Sequence, residues 1–302
     1  MSNLVFRSIK VNGRPAMVGN RALGVFRLAP YTLRLRYTDG VTPTFSTGAA
    51  VQMSTSPNIW DLTNDSNSWY GVLQGHTGLL EVVDSGDMSG VRYMSSAFSG
   101  CTSLVSICPM NVRLNKVRNM FKNCSSLVSV PLITINLSSG ESFDYMFDGC
   151  TSLTSVPLLN TYSSNTTTTN YMFRNCSSLT TIPAFNLTRV TSAGSMFEGC
   201  SSLTTVPALN LSQASNGLGG MFKGCSSLTT MPSITIPYSL RSCSSMFEEC
   251  INIESGILDM YNTLYTALYN ARSTYYSSCF KNCGSNTTAG AAELAQVPST
   301  WK

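Results

Sequence analysis

Met172-Phe173-Arg174-Asn175-Cys176-Ser177-Ser178-Leu179-Thr180-Thr181-Ile182-Pro183 decides how the rest of the chain is read, because near-copies of it recur along the sequence. The same frame runs from Met120-Phe121 to Pro131, from Met146-Phe147 to Pro157, from Met196-Phe197 to Pro207 and from Met221-Phe222 to Pro232. Worn copies start at Ala97-Phe98, Met246-Phe247 and Cys279-Phe280, which makes eight. Their aligned cysteines are Cys101, Cys124, Cys150, Cys176, Cys200, Cys225, Cys250 and Cys283, at spacings of 23, 26, 26, 24, 25, 25 and 33 residues. A period of this size predicts stacked units, each burying its apolar face only against its neighbours.

Within one copy, Phe197 is followed three residues later by Cys200 and six later by Leu203, which predicts one helical or 3₁₀ turn with Phe and Cys inward. Thr204-Thr205-Val206 favours an extended strand that Pro207 keeps short. Leu209 and Leu211, like Ile133 and Ile135 earlier, add a second inward-facing extended segment. The expected fold class is therefore mostly β: a short-repeat, leucine-rich-repeat-like solenoid of about eight coils of ~25 residues.

Residues 1–88 do not share the frame and are expected to form a small β-rich amino-terminal docking or capping domain, with residues 89–302 as the solenoid and its carboxy-terminal cap. Leu4 to Val11 followed by Asn12-Gly13 predicts a hairpin. Tyr31 to Tyr37 alternates as a half-buried strand should, and Gly48 to Met53 reads as another. Trp60-Asp61-Leu62, Trp69 to Leu73 and Leu79 to Val83 carry a dense apolar patch towards the first copy, suited to covering the end of a stack. After Cys250, Ile257, Tyr261, Leu264, Tyr265, Leu268 and Arg272 fall at helical spacing and predict a capping helix. Tyr162 to Tyr171 and Asn216 to Gly220 read as surface turns by composition.

Charged residues are only 11 % of the chain, so solubility rests on Ser, Thr and Asn. The net charge is +4, but residues 1–40 hold seven basic side chains against Asp39 alone, which leaves the remainder slightly acidic. A basic end on a near-neutral array suits docking on an acidic partner, although the charges are spread along the segment as solvated strand faces would be. The eight column cysteines would point the same way, one inter-strand spacing of ~4.8 Å apart, which suits buried reduced thiols better than bridges. Cys108, Cys243 and Cys279 lie outside the column and are left as either paired or free. No C-x-x-C occurs and His76 is the single histidine, so no metal site is expected. The amino terminus lacks an apolar signal core, and no apolar run approaches the ~18 residues of a membrane span, so neither secretion by its own signal nor membrane insertion is expected.

Asn58-Ile59-Trp60-Asp61-Leu62, Leu79-Leu80-Glu81-Val82 and Gly90-Val91-Arg92-Tyr93-Met94, leading into Met-Phe-x-x-Cys-x-Ser-Leu copies, resemble the BspA-type leucine-rich repeat proteins of gut and oral bacteria and of their phages. The repeat part of this resemblance covers roughly residues 91–283. It implies a right-handed short-repeat solenoid and a role in surface attachment or recognition. It implies no catalytic residue.

No triad, paired carboxylates, H-E-x-x-H or phosphate loop occurs, so no catalytic residue, metal or cofactor is assigned and the chain is expected not to be an enzyme. His76 reads as a loop residue. Asp144, Asp148, Glu198, Glu248 and Glu249 recur near the Phe slot and read as a solvated edge. Nucleic acid is disfavoured because residues 91–302 lack a basic stripe. Ser106, Ser129, Ser155, Thr181, Thr205 and Thr230 occupy one slot and should align as a hydroxyl ladder, the candidate binding face for a host glycan or surface protein. The alternative for that ladder is β-prone hydroxyl residues filling exposed positions without a ligand.

The expected function is a phage virion component: a tail or head fibre, decoration or receptor-binding protein. It would be made in the bacterial cytoplasm, held to other virion proteins through its amino-terminal part, and placed in an oligomeric setting. The runner-up is an adhesin on the bacterial cell surface, and a third reading is an accessory domain of an enzyme.

Overall fold

A computed structural model of the chain describes residues 10–11, 14–15, 28–135, 142–161 and 168–302. Strands β1 (Lys10–Val11) and β2 (Arg14–Pro15) pair antiparallel on either side of Asn12-Gly13, the hairpin position read from the sequence. Leu4 to Ile9, most of the basic amino-terminal side chains and Tyr162 to Thr167 lie outside the described residues.

Four longer strands follow: β3 (Thr32–Tyr37), β4 (Ala49–Thr55), β5 (Asn58–Thr63) and β6 (Leu79–Ser85). They join antiparallel in the order β4-β5-β3-β6. In β3 the alternation of Leu33, Leu35 and Tyr37 with Arg34 and Arg36 places the first three in the core. Two of the seven basic residues expected to form a docking end are committed within this sheet. Arg34 makes a bidentate pair with Asp61 at 2.7 and 2.8 Å, and Arg36 Nε stands 3.1 Å from Glu81.

A fifth strand, β7 (Ser106–Ile107), adds parallel to β6 and carries the sheet into the repeats. From here the expected mostly β, leucine-rich-repeat-like solenoid is corrected by what the copies are made of. Among the described residues no continuous sheet runs along them. Regular pairing is confined to two-residue strands: β8 (Arg113–Leu114), β9 (Thr134–Ile135) and β10 (Asn160–Thr161) form one parallel sheet, and β11 (Leu209–Asn210) pairs with β12 (Ile234–Thr235). Elsewhere single bridges stand in, as between Thr181 and Thr205, so the strand expected at Thr204 to Val206 is reduced to one paired residue.

One feature of the sequence accounts for the short pairing. Pro131, Pro157, Pro183, Pro207 and Pro232 follow the would-be strand and remove its next donor. The one copy with Cys108 in that slot keeps the donor; its N–H bonds to the Val82 carbonyl at 2.9 Å, and there β7 pairs regularly. Backbone handedness makes the separate segment around each Phe a turn. Residues two before and two after each Phe have positive φ, for example Tyr171 at 59° and Asn175 at 60°, which no strand tolerates.

The copies are instead tight turns joined by their own ladder. The N–H groups of Tyr171, Phe173 and Asn175 bond to the carbonyls of Gly194, Met196 and Glu198 at 3.0, 2.9 and 2.7 Å, and the same three-bond step recurs from copy to copy. Along the axis the Phe rings stack nearly parallel, from Phe98 on Phe121 at 5.4 Å to Phe247 on Phe280 at 5.7 Å. The rings from Phe98 to Phe280, the aligned cysteines and the Leu or Ile three residues further on are all fully buried or nearly so. Each such Phe contributes about 1.5–3 kcal/mol by burial, summed by nearest-neighbour contact.

Asn216 to Gly220, read as a surface turn, differs: Gly217, Leu218 and Gly220 are buried, and Leu218 fills the core slot that Ala193 and Val117 fill in other copies. Helix α1 (Ile257–Ala271) buries Ile257, Met260, Leu264, Ala267 and Leu268 and leaves Tyr265 exposed. Helix α2 (Thr288–Gln296) starts with the Thr287 side chain accepting from the Gly290 N–H. The last ring of the stack is met by Trp301. Its carbonyl takes the Phe280 N–H at 2.9 Å in place of a next copy, and its indole packs on Tyr276 with centroids 4.6 Å apart.

Candidate functional site

The residue after each Phe from Phe121 to Phe280 in the stack forms a second column: Lys122, Asp148, Arg174, Glu198, Lys223, Glu248 and Lys281, alternating in sign along the array. Arg174 grips Asp148 through two bonds of 2.8 and 2.9 Å, with Lys122 on the other side at 3.6 Å. Lys223 and Lys281 flank Glu248 at 2.9 and 3.0 Å. The Asp148 and Glu248 side chains are only 3 % and 10 % exposed, so these acids are partners in a half-sunk charge ladder rather than a solvated edge. Burial pushes the Glu248 carboxyl up, but hydrogen bonds from Lys223, Lys281 and Ser245 outweigh it and hold the group at about 2. Tyr145 and Tyr171 stack at 4.7 Å beside this ladder, with Lys122 4.6 Å from the Tyr145 ring centre and Arg174 4.7 Å from that of Tyr171.

Hydroxyl residues fall into three columns with different uses. Directly after the cysteines, Ser125, Thr151, Ser177, Ser201 and Ser226 each donate to the carbonyl of the equivalent residue one copy earlier, at 3.1–3.4 Å. Next, Thr154, Thr180 and Thr204 donate to the carbonyls of Val128, Thr154 and Thr180. Both columns staple copy to copy. The third is the face expected to bind. Ser129, Ser155, Thr181, Thr205 and Thr230 are exposed and make no side-chain bond among the described residues. Ser106, at the start of the column, is half-buried and donates to Glu81 at 3.2 Å. Ser255, bridged to Thr230, extends the column by one copy.

That face is not uniformly polar. Val105 and Val128 occupy the stapling-threonine slot in the first two copies, and Leu132 and Leu158 follow their prolines; all four are 42–58 % exposed. The sequence carried this signal in the change from Val to Thr at one slot, and reading the hydroxyl slot alone passed over it.

Each column thiol, from Cys101 to Cys250, donates to the carbonyl one copy back in the Phe slot, at 3.0–3.1 Å. The sulfurs are thus turned to carbonyls and not to each other, and all eleven cysteines are free thiols. Burial pushes the Cys101 thiol up to about 12 and the Cys176 thiol well above its ordinary value. Cys279 sits against Cys243, and burial likewise raises it.

Cys101 donates to Leu73, which identifies a further copy ahead of the eight. Leu73-Gln74-Gly75-His76-Thr77-Gly78-Leu79 matches Phe98-Ser99-Gly100-Cys101-Thr102-Ser103-Leu104 slot for slot. The Leu73 N–H bonds to Ala97 at 3.0 Å as Phe98 bonds to Met120, and Gly75 has the positive φ of Gly100. His76 therefore holds the first position of the cysteine column and is not a free loop residue. Its Nδ1 lies 2.6 Å from the Tyr37 hydroxyl, its ring packs on Phe45, and burial holds its pKa below the ordinary histidine value. The shared Gly-x-Thr-x-Leu was legible, but a Leu and a His in the Phe and Cys slots hid it.

No helix among the described residues is long and apolar enough to cross a membrane. A family model described as a Mycoplasma protein of unknown function, DUF285, matches residues 68–178, 92–208 and 180–283, so that the first match takes in the Leu73 copy. No curated protein matches the chain. With residues 68–283 covered by its model, the chain belongs to the DUF285 family, whose function is unknown.

Proposed function

We propose that the chain is a non-enzymatic recognition or structural protein of a phage virion, such as a fibre, decoration or receptor-binding protein. Its stacked copies would present a face to a host glycan or surface protein, and its amino-terminal part would hold it to other virion proteins. The observation that supports this reading is the unequal use of hydroxyls. Two columns are consumed in stapling the copies, while Ser129, Ser155, Thr181, Thr205 and Thr230 are held in register, exposed and without a side-chain partner among the described residues. Copies that stack rigidly and leave one row of donors and acceptors open suit an extended partner surface. The likeness of the Met-Phe-x-x-Cys-x-Ser-Leu copies to BspA-type surface proteins supports the same class of role.

The test is to probe gradient-purified phage particles and cell-envelope fractions of the encoding organism with an antibody to the chain. Recovery at constant stoichiometry in particles supports the virion reading. Recovery in the envelope alone overturns it and favours the adhesin.

A further inference from the structure

Beside the array, helix α1 and the segment Ile236–Tyr238 enclose an open groove of about 440 Å³. Its floor is apolar, from Ile236, Pro237 and Ala267. Its walls carry Asn262, Thr263, Thr266, Asn270 and Tyr238, and no charged side chain among the described residues lines it. The groove is preformed. Asn270 Nδ2 donates to the Tyr238 carbonyl at 3.0 Å, and the Leu240 N–H bonds to Ala267 at 3.1 Å, so the segment is tied to the helix at its carboxy-terminal end.

The polar groups on its walls are only partly used. Thr263 and Thr266 spend their protons on the Asp259 and Asn262 carbonyls at 2.9 Å and keep acceptor lone pairs. Asn270 retains its carbonyl oxygen and one amide hydrogen. The Asn262 carboxamide makes no bond among the described residues, which leaves two donors and two acceptor sites on one rigid helix face. Asn262 and Asn270 are eight residues, or about 12 Å, apart along that face. Around this row stand exposed aromatic rings. Tyr238 is 83 % exposed, and Tyr265 and Tyr269, three residues on from Asn262 and Thr266, are 50 % and 73 % exposed with their rings near-parallel at 6.4 Å.

We infer that this groove binds a neutral saccharide. Paired amide donors and acceptors match vicinal hydroxyls, threonine oxygens accept from them, and exposed tyrosine rings offer flat apolar surfaces to the C–H face of a sugar ring. The absence of charge on the lining argues against a phosphate, an acidic sugar or a nucleic acid, each of which calls for cations. The inference deepens the recognition role proposed above, resting on that reading for its biological setting, and it places a ligand class on a surface apart from the Ser/Thr column.

The experiment applies the full chain to an array of neutral and acidic oligosaccharides and follows any hit by titration calorimetry with N262A, N262D, Y238A and T205V. A neutral oligosaccharide is expected to bind. N262A and Y238A should each weaken it about tenfold, as loss of a polar or stacking contact does. N262D, which keeps the size of the side chain but replaces its donors with charge, should weaken it similarly, and T205V should leave it unchanged. Melting temperatures within error of the parent would show that the variants fold. Retention of acidic glycans alone, silence of every neutral saccharide, or a hit that N262A, N262D and Y238A leave intact would overturn the inference. Recovery of the chain in particles without neutral saccharide binding would remove this inference and leave the virion reading standing. Groove-dependent binding by a chain absent from particles would do the reverse.

Discussion

The Cys176 thiol donates to the Phe147 carbonyl at 3.1 Å, joining two residues 29 positions apart. The bond links neighbouring copies at the level of the ring stack and gives the cysteine column its purpose: a small apolar side chain that also satisfies a carbonyl in a dry interior. Cys176→Ala removes the donor and leaves a small void, and should destabilise the chain by about 1–3 kcal/mol in urea titrations. Cys176→Ser keeps a donor and should cost less. In the folded protein the buried column should react slowly with thiol reagents, and all eleven cysteines should react once it is unfolded; fast native labelling of Cys150, Cys176 and Cys225 would contradict this.

Gly199 and Asn175 share the left-handed slot two residues after the Phe in adjacent copies. A Cβ on Gly199, where φ is 74°, would come within 2.6 Å of Asn175 Oδ1. Asn123 and Gly149 repeat the arrangement with a corresponding approach of 2.5 Å. Gly199→Ala should cost about 1–2 kcal/mol for the backbone conformation alone, with the clash added. Asn175→Gly in the same chain removes the clash only, so a double-mutant cycle should show positive coupling. Strictly additive costs would mean that the asparagine has room to move.

Glu248 sets a pH dependence. Its folded carboxyl sits at about 2, against ~4.3 for an ordinary glutamate. A depressed carboxyl contributes fully above the unfolded value and loses that contribution as pH falls towards the folded one. The free energy of unfolding should therefore decline between about pH 5 and pH 2, and Glu248→Gln should flatten that decline and lower stability at pH 7 by about 1 kcal/mol. Because Lys223 and Lys281 are 40 % and 49 % exposed, added salt should shrink the difference. Denaturant curves at pH 7 and pH 3, with and without salt, decide it.

The Met-Phe-x-x-Cys-x-Ser-Leu frame was enough to place Phe173, Cys176 and Leu179 in a shared core, because identical slots in a stack meet identical surroundings. Outside the frame, the alternation of Tyr31 to Tyr37 and the run Gly48 to Met53 read as strands and are β3 and β4, whereas Trp60-Asp61-Leu62 and Leu79 to Val83, read only as an apolar patch, are β5 and β6. The frame misjudged the backbone between core slots. Thr204-Thr205-Val206 has strand composition, but the missing donor of Pro207 leaves a single bridge there, while positive φ at Ser195 and Gly199 makes the separate Phe197 segment a turn. The candidate face was legible only in part. Composition cannot separate Thr204, whose hydroxyl staples the copies, from Thr205, whose hydroxyl is exposed, since the difference is one of direction.

By itself the sequence determined periodicity: which residues recur, which are apolar, and so which stack. Tertiary structure alone decided what lies across from what. The sign alternation of Lys122, Asp148, Arg174, Glu198, Lys223, Glu248 and Lys281 becomes a charge ladder only when successive copies are superposed. The groove beside Asn262 exists only because α1 is tied to the Ile236–Tyr238 segment. The physical reason is one of range. Propensity and burial act over a few neighbouring residues, whereas the partners of a side chain in a stack are set one copy away, by register that backbone hydrogen bonds establish only once the chain has closed on itself.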